Sequence, residues 1–299
     1  MDLSIVVSSF NRAGDLTRFL DSLGRMEVPG RQTWEVIVVD NNSTDETRQV
    51  VERAATGCED QVRYLFEPRQ GKSFALNTAL SRVRGRIVAF TDDDAIVRPD
   101  WVRSIIDFFD RHPDAVCVGG KVELFNPADA PTSTRVSETA SVIGLRNFSA
   151  VYIPIIGCNM AFRTSLLGQI GAFDTDIGPG SKFGVAEDLD YLYRIVRANH
   201  LINYEPSISL FHNHGRRTPE DLKRLYHNYF TGRGAFYCKH VLKGDTYMLR
   251  LIWWEVRRYV GWKTLRAMFD RDAREDALHL WTLMRGALRY LLLRGSLKA

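Results

Sequence analysis

The sequence predicts an α/β fold, with a doubly wound, mostly parallel sheet flanked by helices and a helical C-terminal extension. Two observations carry this prediction. Apolar, strand-like segments alternate with amphipathic, helix-like segments from residue 3 to residue 91, at the spacing of βαβ units. From Thr218 onward the pattern is helical and rich in aromatic and basic residues.

The elements of the first half follow one another in a regular order. Four apolar segments predict buried strands, at residues 3–10, 34–40, 61–67 and 86–91. Helices are predicted between them, at residues 12–26, 41–55 and 72–83. In the second helix, Ser43 followed by Glu46 has the pattern of a capping box, in which two side chains satisfy exposed amides at the helix start.

Composition fits a globular chain of moderate size. Its 299 residues are 45% apolar and 25% charged, enough for a catalytic domain with an appendage. No segment reaches the roughly 18 apolar residues of a spanning helix, and the amino terminus lacks a signal-peptide pattern. We expect reduced thiols and a cytoplasmic protein, because the cysteines are far apart and form no CxxC pair: Cys58, Cys117, Cys158 and Cys238.

Three polar clusters stand where predicted strands end, at residues 8–12, 40–43 and 92–94. Ligands of doubly wound sheets bind beyond the carboxyl ends of the strands, so we expect the clusters to converge on one site. Neither GxGxxG nor GxxxxGK[ST] occurs at these ends, which argues against a phosphate held mainly by a glycine-rich turn.

The third cluster is a run of three aspartates after a buried strand. Asp92 and Asp94 are one residue apart, so in extended backbone they point to the same side. Together they suit a hard divalent ion, Mg²⁺ or Mn²⁺, that binds a diphosphate. The alternative is an aspartate-rich turn that caps the following helix, with Pro99 in its first turn.

Two further patterns have both a structural and a chemical interpretation. Glu187 and Asp188 begin a predicted helix, where acidic residues are favoured by the helix dipole alone. The glycine-rich segment before them, residues 178–185, has the composition of a loop that closes over a ligand. His212 and His214 point to one side of an extended backbone and suit a transition-metal site, although a plain polar loop is equally compatible.

The chain resembles the family 2 glycosyltransferases of the GT-A fold. Six ordered segments, spread over roughly residues 3 to 215, carry the resemblance: "SIVVSSFNRAGDLTRFLDSL", "EVIVVDNNSTDET", "RQGKSFALNTAL", "IVAFTDDDAIVRPDWV", "GCNMAFRTSLLGQIGAFD" and "GVAEDLDYLYRI". It implies a GT-A catalytic domain over residues 1–217, with residues 218–299 as the helical extension.

The resemblance also implies a role for particular residues. Asp40 matches an acidic residue that hydrogen-bonds a pyrimidine base, typically uracil. Asp94 matches the metal ligand of the DxD motif, and Asp92 would face the ribose or sugar and is a further candidate ligand. His212 would complete the metal shell, with His214 as its substitute. Asn159 and Met160 match the segment that lines the donor-sugar and acceptor pocket. The residues expected at the nucleotide are Ser9, Phe10, Asn11, Arg12, Asp40, Asn42, Lys72, Asp92 and Asp93.

The function implied is metal-dependent transfer of a sugar from a nucleotide-sugar, expected to be a UDP-sugar, to a hydroxyl acceptor. Asp188, preferred over Glu187, would act as general base of an inverting reaction. The Mn²⁺ or Mg²⁺ ion would neutralise the leaving diphosphate. We expect a saccharide or lipid-linked saccharide acceptor and a role in surface polysaccharide or glycolipid assembly.

The C-terminal extension carries a surplus of positive charge. Residues 239–299 hold 13 Lys and Arg against 6 Asp and Glu, a net charge of +7. Its helices could pack on the catalytic domain, or they could lie in a membrane interface against anionic lipid. The aromatic residues of the second interpretation are Trp253, Trp254, Trp262, Trp281 and Tyr290. The region has no motif for nucleic-acid recognition.

Two other functions remain compatible with the sequence. A non-catalytic, nucleotide-sugar-binding scaffold subunit would bind nucleotide without turnover. A sugar nucleotidyltransferase would use the same metal and nucleotide logic, but it would release pyrophosphate instead of a nucleoside diphosphate.

Overall fold

The alternating apolar segments form strands and helices in the predicted order. The computed structural model describes residues 1–27, 30, 32–58, 60–151, 153–259 and 271–295. Within these residues nine strands form one sheet: β1 Leu3–Ser9, β2 Trp34–Asp40, β3 Val62–Phe66, β4 Ile87–Asp92, β5 Ala95–Val97, β6 Cys117–Leu124, β7 Ser141–Ile143, β8 Met160–Arg163 and β9 Ile202–His212.

The helices of the described residues are α1 Ala13–Leu23, α2 Thr47–Ala55, α3 Lys72–Leu80, α4 Trp101–Arg111, α5 Leu167–Ile170, α6 Glu187–Arg197, α7 Pro219–Leu242, α8 Tyr247–Tyr259 and α9 Arg271–Gly295. α1 buries the four apolar residues that its periodicity aligns on one face: Leu16, Phe19, Leu20 and Leu23. This face packs into the same core as β1 and β2, where burial of apolar surface stabilises the fold.

The sheet is mostly parallel, as predicted. Its order is β3-β2-β1-β4-β8-β6-β9-β5, and β7 pairs with β9. β3, β2, β1 and β4 run parallel, as do β6 and β9, whereas β8, β5 and β7 are antiparallel to their neighbours. Ser9 lies opposite Asp40, and Ser8 lies opposite Asp92, so the register brings the ends of β1, β2 and β4 to one edge.

The predicted capping box is wrong. α2 begins at Thr47, and its N-cap residue Glu46 makes no side-chain capping bond. The Ser43 hydroxyl instead accepts a hydrogen bond from the Asn11 amide at 3.0 Å. Asp45 takes over the helix start and accepts from the Thr47 amide and hydroxyl at 3.1 and 2.6 Å. The Ser43 side chain, which the local pattern assigns to the start of α2, therefore makes a tertiary contact with Asn11 instead.

The chain divides into two compact units. The first comprises Met1–Phe148, Pro154–Phe173 and Tyr191–Arg217, and the second comprises Ser149–Ile153, Asp174–Asp190 and Thr218–Ala299. The division of function between residues 217 and 218 stays a prediction. None of the described helices is long and apolar enough to cross a membrane.

In the second unit, α7 begins at Pro219, and Thr218 is its N-cap. α7 and α9 approach closely where Gly234 and Gly286 face backbone of the other helix. A Cβ at Gly234 would lie 2.0 Å from the Leu283 carbonyl oxygen, and one at Gly286 would lie 2.2 Å from that of Thr231. Only glycine allows this contact.

The aromatic residues proposed for a membrane interface have different environments. Trp253, Trp254 and Trp281 are each about half exposed, at 52%, 53% and 49%. Tyr290 is buried and packs on Phe183 with ring centroids 4.8 Å apart, so its place at such an interface is wrong. Trp262 lies outside the described residues.

Candidate functional site

The three polar clusters meet at the carboxyl ends of β1, β2 and β4. Ser9, at the end of β1, donates a hydrogen bond from its hydroxyl to Asp93 at 2.8 Å. Arg12, three residues further along, pairs with Asp93 at 3.2 Å and with Asp94 at 3.0 Å. The loop after β1 and the aspartates after β4 therefore form one charged cluster within the first unit.

The loops after β1 and β2 are interlocked by Asn11. The Asn11 side-chain oxygen accepts from the Thr44 backbone amide at 2.7 Å, and the Asn11 backbone amide donates to the Ser43 hydroxyl. Asn11 and Asn42 both adopt positive φ, which asparagine tolerates better than most residues. Phe10 is 44% exposed and Asn42 is also exposed, so both present side chains to solvent.

Asp40 is buried at the end of β2 with two partners. Its carboxylate accepts from the Ser43 amide and from the Tyr64 hydroxyl, both at 2.8 Å. Burial and the Asp40 charge raise the pKa of Tyr64 to about 12, so this hydroxyl remains a donor at neutral pH. Tyr64 was not among the predicted site residues, because nothing in its strand pattern separates it from a packing residue.

A second hub positions the segment that leads into α3. The Asn41 side chain donates to the Glu67 and Arg69 carbonyls at 3.1 and 2.7 Å and accepts from the Gly71 amide at 2.8 Å. Glu67 accepts from Arg69 and Thr78 through its carboxylate. These hydrogen bonds, led by those from Arg69, lower the pKa of Glu67 to about 2.

Lys72, which this segment carries to the first position of α3, donates to Asp92 at 2.5 Å. Neither Asn41 nor Glu67 was among the predicted site residues. Both act through contacts between segments that are distant in the sequence, and no local pattern marks such contacts.

The aspartates do not cap the following helix. β4 ends at Asp92, and only two residues separate it from the start of β5 at Ala95. α4 starts at Trp101, and its N-cap residue Asp100 makes no side-chain capping bond. The turn between β4 and β5 therefore presents the carboxylates at the sheet edge, which excludes the capping alternative.

Asp93 and Asp94 are both buried, yet their ionisation differs. Burial raises the pKa of Asp93 to about 7, although the Arg12 charge opposes this shift. Burial also acts to raise the pKa of Asp94, but His212 and Arg12 outweigh it and hold that pKa below its usual range. Asp94 is therefore the carboxylate that stays ionised, whereas Asp93 accepts a hydrogen bond from Ser9 and pairs with Arg12.

His212, the last residue of β9, faces Asp94. Its Nε2 lies 3.2 Å from Asp94 Oδ1, but Oδ1 is buried and receives no hydrogen bond from any described residue. Its Nδ1 lies 3.3 Å from the Ser133 carbonyl oxygen, which can only accept, so Nδ1 carries the proton. Burial opposes the shift, but the neighbouring Asp94 raises the pKa of His212, so a metal ion bound here would have to displace the proton on Nε2.

These atoms fit a divalent cation. An ion ligated by Asp94 Oδ1 and His212 Nε2 would give the buried Oδ1 a partner, and a carbonyl behind a ligating histidine is a common supporting contact. Ligand atoms of Asp92, Cys158 and His212 also lie within 4.8 Å of one another. Oxygen and imidazole ligands together suit Mn²⁺.

His214 is held in the opposite tautomer. Its Nδ1 accepts from the Arg216 amide at 3.0 Å, so in the neutral ring Nε2 carries the proton. That Nε2 is buried and lacks a hydrogen-bond partner among the described residues. In this tautomer, His214 Nε2 can donate to an anion but cannot ligate a metal. The alternative in which His214 is the metal ligand in place of His212 is therefore disfavoured.

Asn159 and Met160, whose place in a sugar pocket stays a prediction, are both buried. The Asn159 oxygen accepts from the Trp101 indole at 2.9 Å. Its amide donates to the Lys121 and Ile208 carbonyls, each at 3.0 Å. With these three bonds Asn159 joins α4, β6 and β9, which is a structural role.

Glu187 and Asp188 begin α6 and belong to the second unit. Glu187 is buried, at 5% exposure, whereas Asp188 is half-buried. One Asp188 oxygen accepts from the Leu189 amide at 2.7 Å. Of the two carboxylates, Asp188 is thus the more accessible to a substrate.

The glycine-rich segment before α6 is anchored at its C-terminal end. Gly178 and Gly184 are joined by a backbone hydrogen bond of 2.7 Å, and Phe183 is buried. The Val185 amide donates to the Asn228 carbonyl of α7 at 3.1 Å. Residues 183–185 are thus held against α7 in this structure, and closure of the loop over a ligand stays a prediction.

Two characterised relatives share part of the sequence. The chain is 30% identical over 188 residues to poly(ribitol-phosphate) β-N-acetylglucosaminyltransferase TarS of Staphylococcus aureus, a match that covers 63% of this chain and 31% of TarS. It is 27% identical over 208 residues to glucosyl-dolichyl phosphate glucuronosyltransferase of Haloferax volcanii, covering 65% of this chain and 63% of that protein. The chain thus spans less than two thirds of each relative.

Solved structures share the fold. TarS residues 1–349 in complex with UDP-GlcNAc superpose with a TM-score of 0.64 at 20% identity, covering 96% of this chain and 82% of that one. Mannosyltransferase PcManGT from Pyrobaculum calidifontis, in complex with GDP-Man and Mn²⁺, gives a TM-score of 0.63 at 20% identity, covering 97% and 86%. The expected GT-A fold is confirmed.

Residues 4–171 match the glycosyl transferase family 2 profile. The matched region contains the ends of β1, β2 and β4 and the whole cluster from Ser9 to Asp94, and it covers more than half of the chain. The chain belongs to glycosyltransferase family 2.

Proposed function

We propose that the protein transfers a sugar from a UDP-sugar to a hydroxyl acceptor, with inversion at the anomeric carbon and dependence on a divalent metal. The observation that carries this proposal is the pair formed by the buried, ionised Asp94 and the Nε2 atom of His212, which lies 3.2 Å from Asp94 Oδ1 at the edge where Asp40 and Arg12 also lie. This set matches the needs of a nucleoside diphosphate, which are a cation, a base-binding carboxylate and a guanidinium.

Asp94 and His212 would hold the metal, with Asp92 as a further oxygen ligand. Mn²⁺ or Mg²⁺ would supply Lewis-acid stabilisation of the departing diphosphate. The Mn²⁺ in the PcManGT complex supports this assignment by analogy of fold. Arg12, which now spans Asp93 and Asp94, and Lys72 on Asp92 would add positive charge beside the phosphates.

The nucleoside would lie at the ends of β1 and β2. Asp40 keeps an acceptor for the N3–H group of uracil, because its two hydrogen bonds leave lone pairs unused. The exposed ring of Phe10 offers an apolar surface beside it. The UDP-GlcNAc bound by TarS favours a UDP-sugar, whereas the GDP-Man of PcManGT makes GDP-sugars the first competing donors to test.

Asp188 would act as general base, because it is more exposed than Glu187 and stands at the same helix start. It would take the proton of the acceptor hydroxyl as that oxygen bonds to the anomeric carbon. The bond between that carbon and the diphosphate breaks on the opposite face, and UDP leaves.

The acceptor would be a saccharide or a lipid-linked saccharide used in surface polysaccharide or glycolipid assembly. The name of the Haloferax relative, which acts on a dolichyl phosphate sugar, supports a lipid-linked acceptor. Half-exposed Trp253, Trp254 and Trp281 support a peripheral position on a membrane surface.

The decisive experiment separates the three candidate functions by their products. Purified protein is incubated with a UDP-sugar, Mn²⁺ and a saccharide acceptor, and UDP and pyrophosphate are both quantified. UDP release that requires the acceptor supports the transferase. Pyrophosphate release from UTP and a sugar phosphate would identify a nucleotidyltransferase, and binding without either product would identify a scaffold subunit.

A further inference from the structure

A buried ionic cluster in the second unit lies next to the start of α6. The Asp190 carboxylate is fully buried, and its Oδ1 accepts from Lys239 Nζ at 2.6 Å and from His240 Nε2 at 2.8 Å. Lys239 also pairs with Asp174 at 2.7 Å. Two consecutive residues of α7 thereby hold a carboxylate of the first turn of α6.

This cluster is a costly way to achieve stability alone. Buried ions lose their hydration, and well-packed apolar residues often stabilise a core as well as a buried ion pair does. Breaking one partner, however, leaves an uncompensated buried charge. Such a cluster fixes the position of its members more narrowly than apolar packing, since charged hydrogen bonds are directional.

A second attachment holds the chain on the other side of Asp188. The Val185 amide donates to the Asn228 carbonyl of α7 at 3.1 Å. Gly184 and Gly232 allow the two backbones to touch: a Cβ at Gly232 would lie 2.4 Å from the Val185 carbonyl oxygen, and one at Gly184 would lie 2.7 Å from the Gly232 amide nitrogen. Any larger residue would push the segment away from α7.

We propose that Lys239 and His240 are positioning residues, which hold the general base Asp188 through Asp190. Asp188 lies between the two attachments, three residues after Val185 and two before Asp190. Both attachments lead to α7, so this helix of the C-terminal extension is part of the catalytic apparatus. The inference rests on the proposed function, because it assumes that Asp188 removes the acceptor proton.

The test compares three histidine variants. His240→Leu removes the donor to Asp190, His240→Gln keeps an N–H group at similar reach, and His227→Leu is the matched control at an exposed histidine of the same helix. A displaced base lowers the rate without affecting the nucleotide site. We expect kcat to fall about 10- to 100-fold in His240→Leu, with the UDP affinity and the donor KM within about 2-fold of wild type.

His240→Gln should recover most of the lost rate, and His227→Leu should behave as wild type. Lys239→Met should have a larger effect in the same direction, with exposed Lys223→Met as its control. If Lys239→Met does not fold, the His240 series decides. Equal losses in kcat and UDP affinity, or a His240→Gln variant as slow as His240→Leu, would overturn the inference.

Hydrogen–deuterium exchange gives a readout that does not depend on activity. Amides of residues 186–190 should exchange faster in His240→Leu than in wild type, because the first turn of α6 has lost a tether. Unchanged exchange there contradicts the positioning role. Faster exchange in a protein whose wild type transfers no sugar would leave the tether established and the proposed function refuted, so the two failures are distinguishable.

Discussion

At the scale of single residues, His212 and His214 differ in the backbone groups that hold their rings. The Ser133 carbonyl oxygen accepts from Nδ1 of His212, so Nε2 is the nitrogen that can ligate a metal ion. The Arg216 amide instead donates to Nδ1 of His214. His212→Ala should therefore weaken Mn²⁺-dependent UDP binding by about 10-fold or more, and His214→Ala should weaken it less. Calorimetric titration of both variants checks the difference, and equal losses would refute the tautomer assignment.

Asp188 and Glu187 provide a second comparison. Asp188→Asn should leave the UDP affinity unchanged and remove transfer, because an amide is too weak a base to take the proton of the acceptor hydroxyl. Glu187→Gln, at the buried neighbour, should retain the greater share of the rate. Single-turnover transfer with a radiolabelled donor measures both variants. Transfer by Asp188→Asn at the wild-type rate would exclude this residue as the base.

Glu67 gives a prediction on pH dependence. Its pKa is lowered to about 2 in the folded chain, led by hydrogen bonds from Arg69, so its ionised form stabilises the fold above the ordinary carboxyl pKa. Glu67→Gln should lower the free energy of unfolding by about 1–3 kcal/mol near neutral pH. The difference from wild type should shrink as the pH falls from about 4.5 toward 2. Urea denaturation across that range tests this, and a pH-independent difference would contradict it.

At the scale of elements, local periodicity was sufficient to predict β1, α1, β2, β3, α3 and β4 close to their observed bounds. The apolar residues of each segment pack into one core, so local pattern and tertiary structure agree. The start of α2 was not predictable in the same way, because the Ser43 hydroxyl bonds to Asn11 of another loop. The hydrogen bonds of Asn41 and Glu67 were not predictable for the same reason.

The crossing of α7 and α9 yields a prediction at this scale. Gly286→Ala would place a Cβ 2.2 Å from the Thr231 carbonyl oxygen, which forces the helices apart. We expect a loss of about 1–3 kcal/mol in the free energy of unfolding. Gly14→Ala in α1, where a Cβ would contact nothing within 4 Å, is the control and should be neutral or slightly stabilising. Circular dichroism during urea denaturation measures both, and equal stabilities would refute the close contact.

At the scale of the whole molecule, the exposed face of the extension predicts binding to anionic membranes. Leu249, Trp253 and Trp254 of α8 are exposed, and Arg257 lies over both tryptophan rings. Trp253→Ser with Trp254→Ser should reduce co-sedimentation with phosphatidylglycerol vesicles, and added salt should reduce it further. Leu201→Ser, an exposed apolar residue of the first unit, is the control. Equal sedimentation of all variants would argue against the membrane.

The sequence predicted the sheet and the charged edge of the first unit, but not the composition of the second. Residues 174–190 group with the C-terminal helices through Asp174, Asp190 and the Val185 amide. These contacts join segments about 50 residues apart in the chain, and no periodicity reports them. The partners of Asn159 were not predictable for the same reason, since they include backbone carbonyls of distant strands.

In the proposed function, Asp94 and a divalent metal bind the diphosphate of the donor. The most direct test is calorimetric titration of the protein with UDP, with and without Mn²⁺, beside the same titration of Asp94→Ala. We predict binding that strengthens with Mn²⁺ in the wild type and loses this dependence in Asp94→Ala. Equal UDP affinity of the two proteins in the presence of Mn²⁺ would show that Asp94 does not hold the metal.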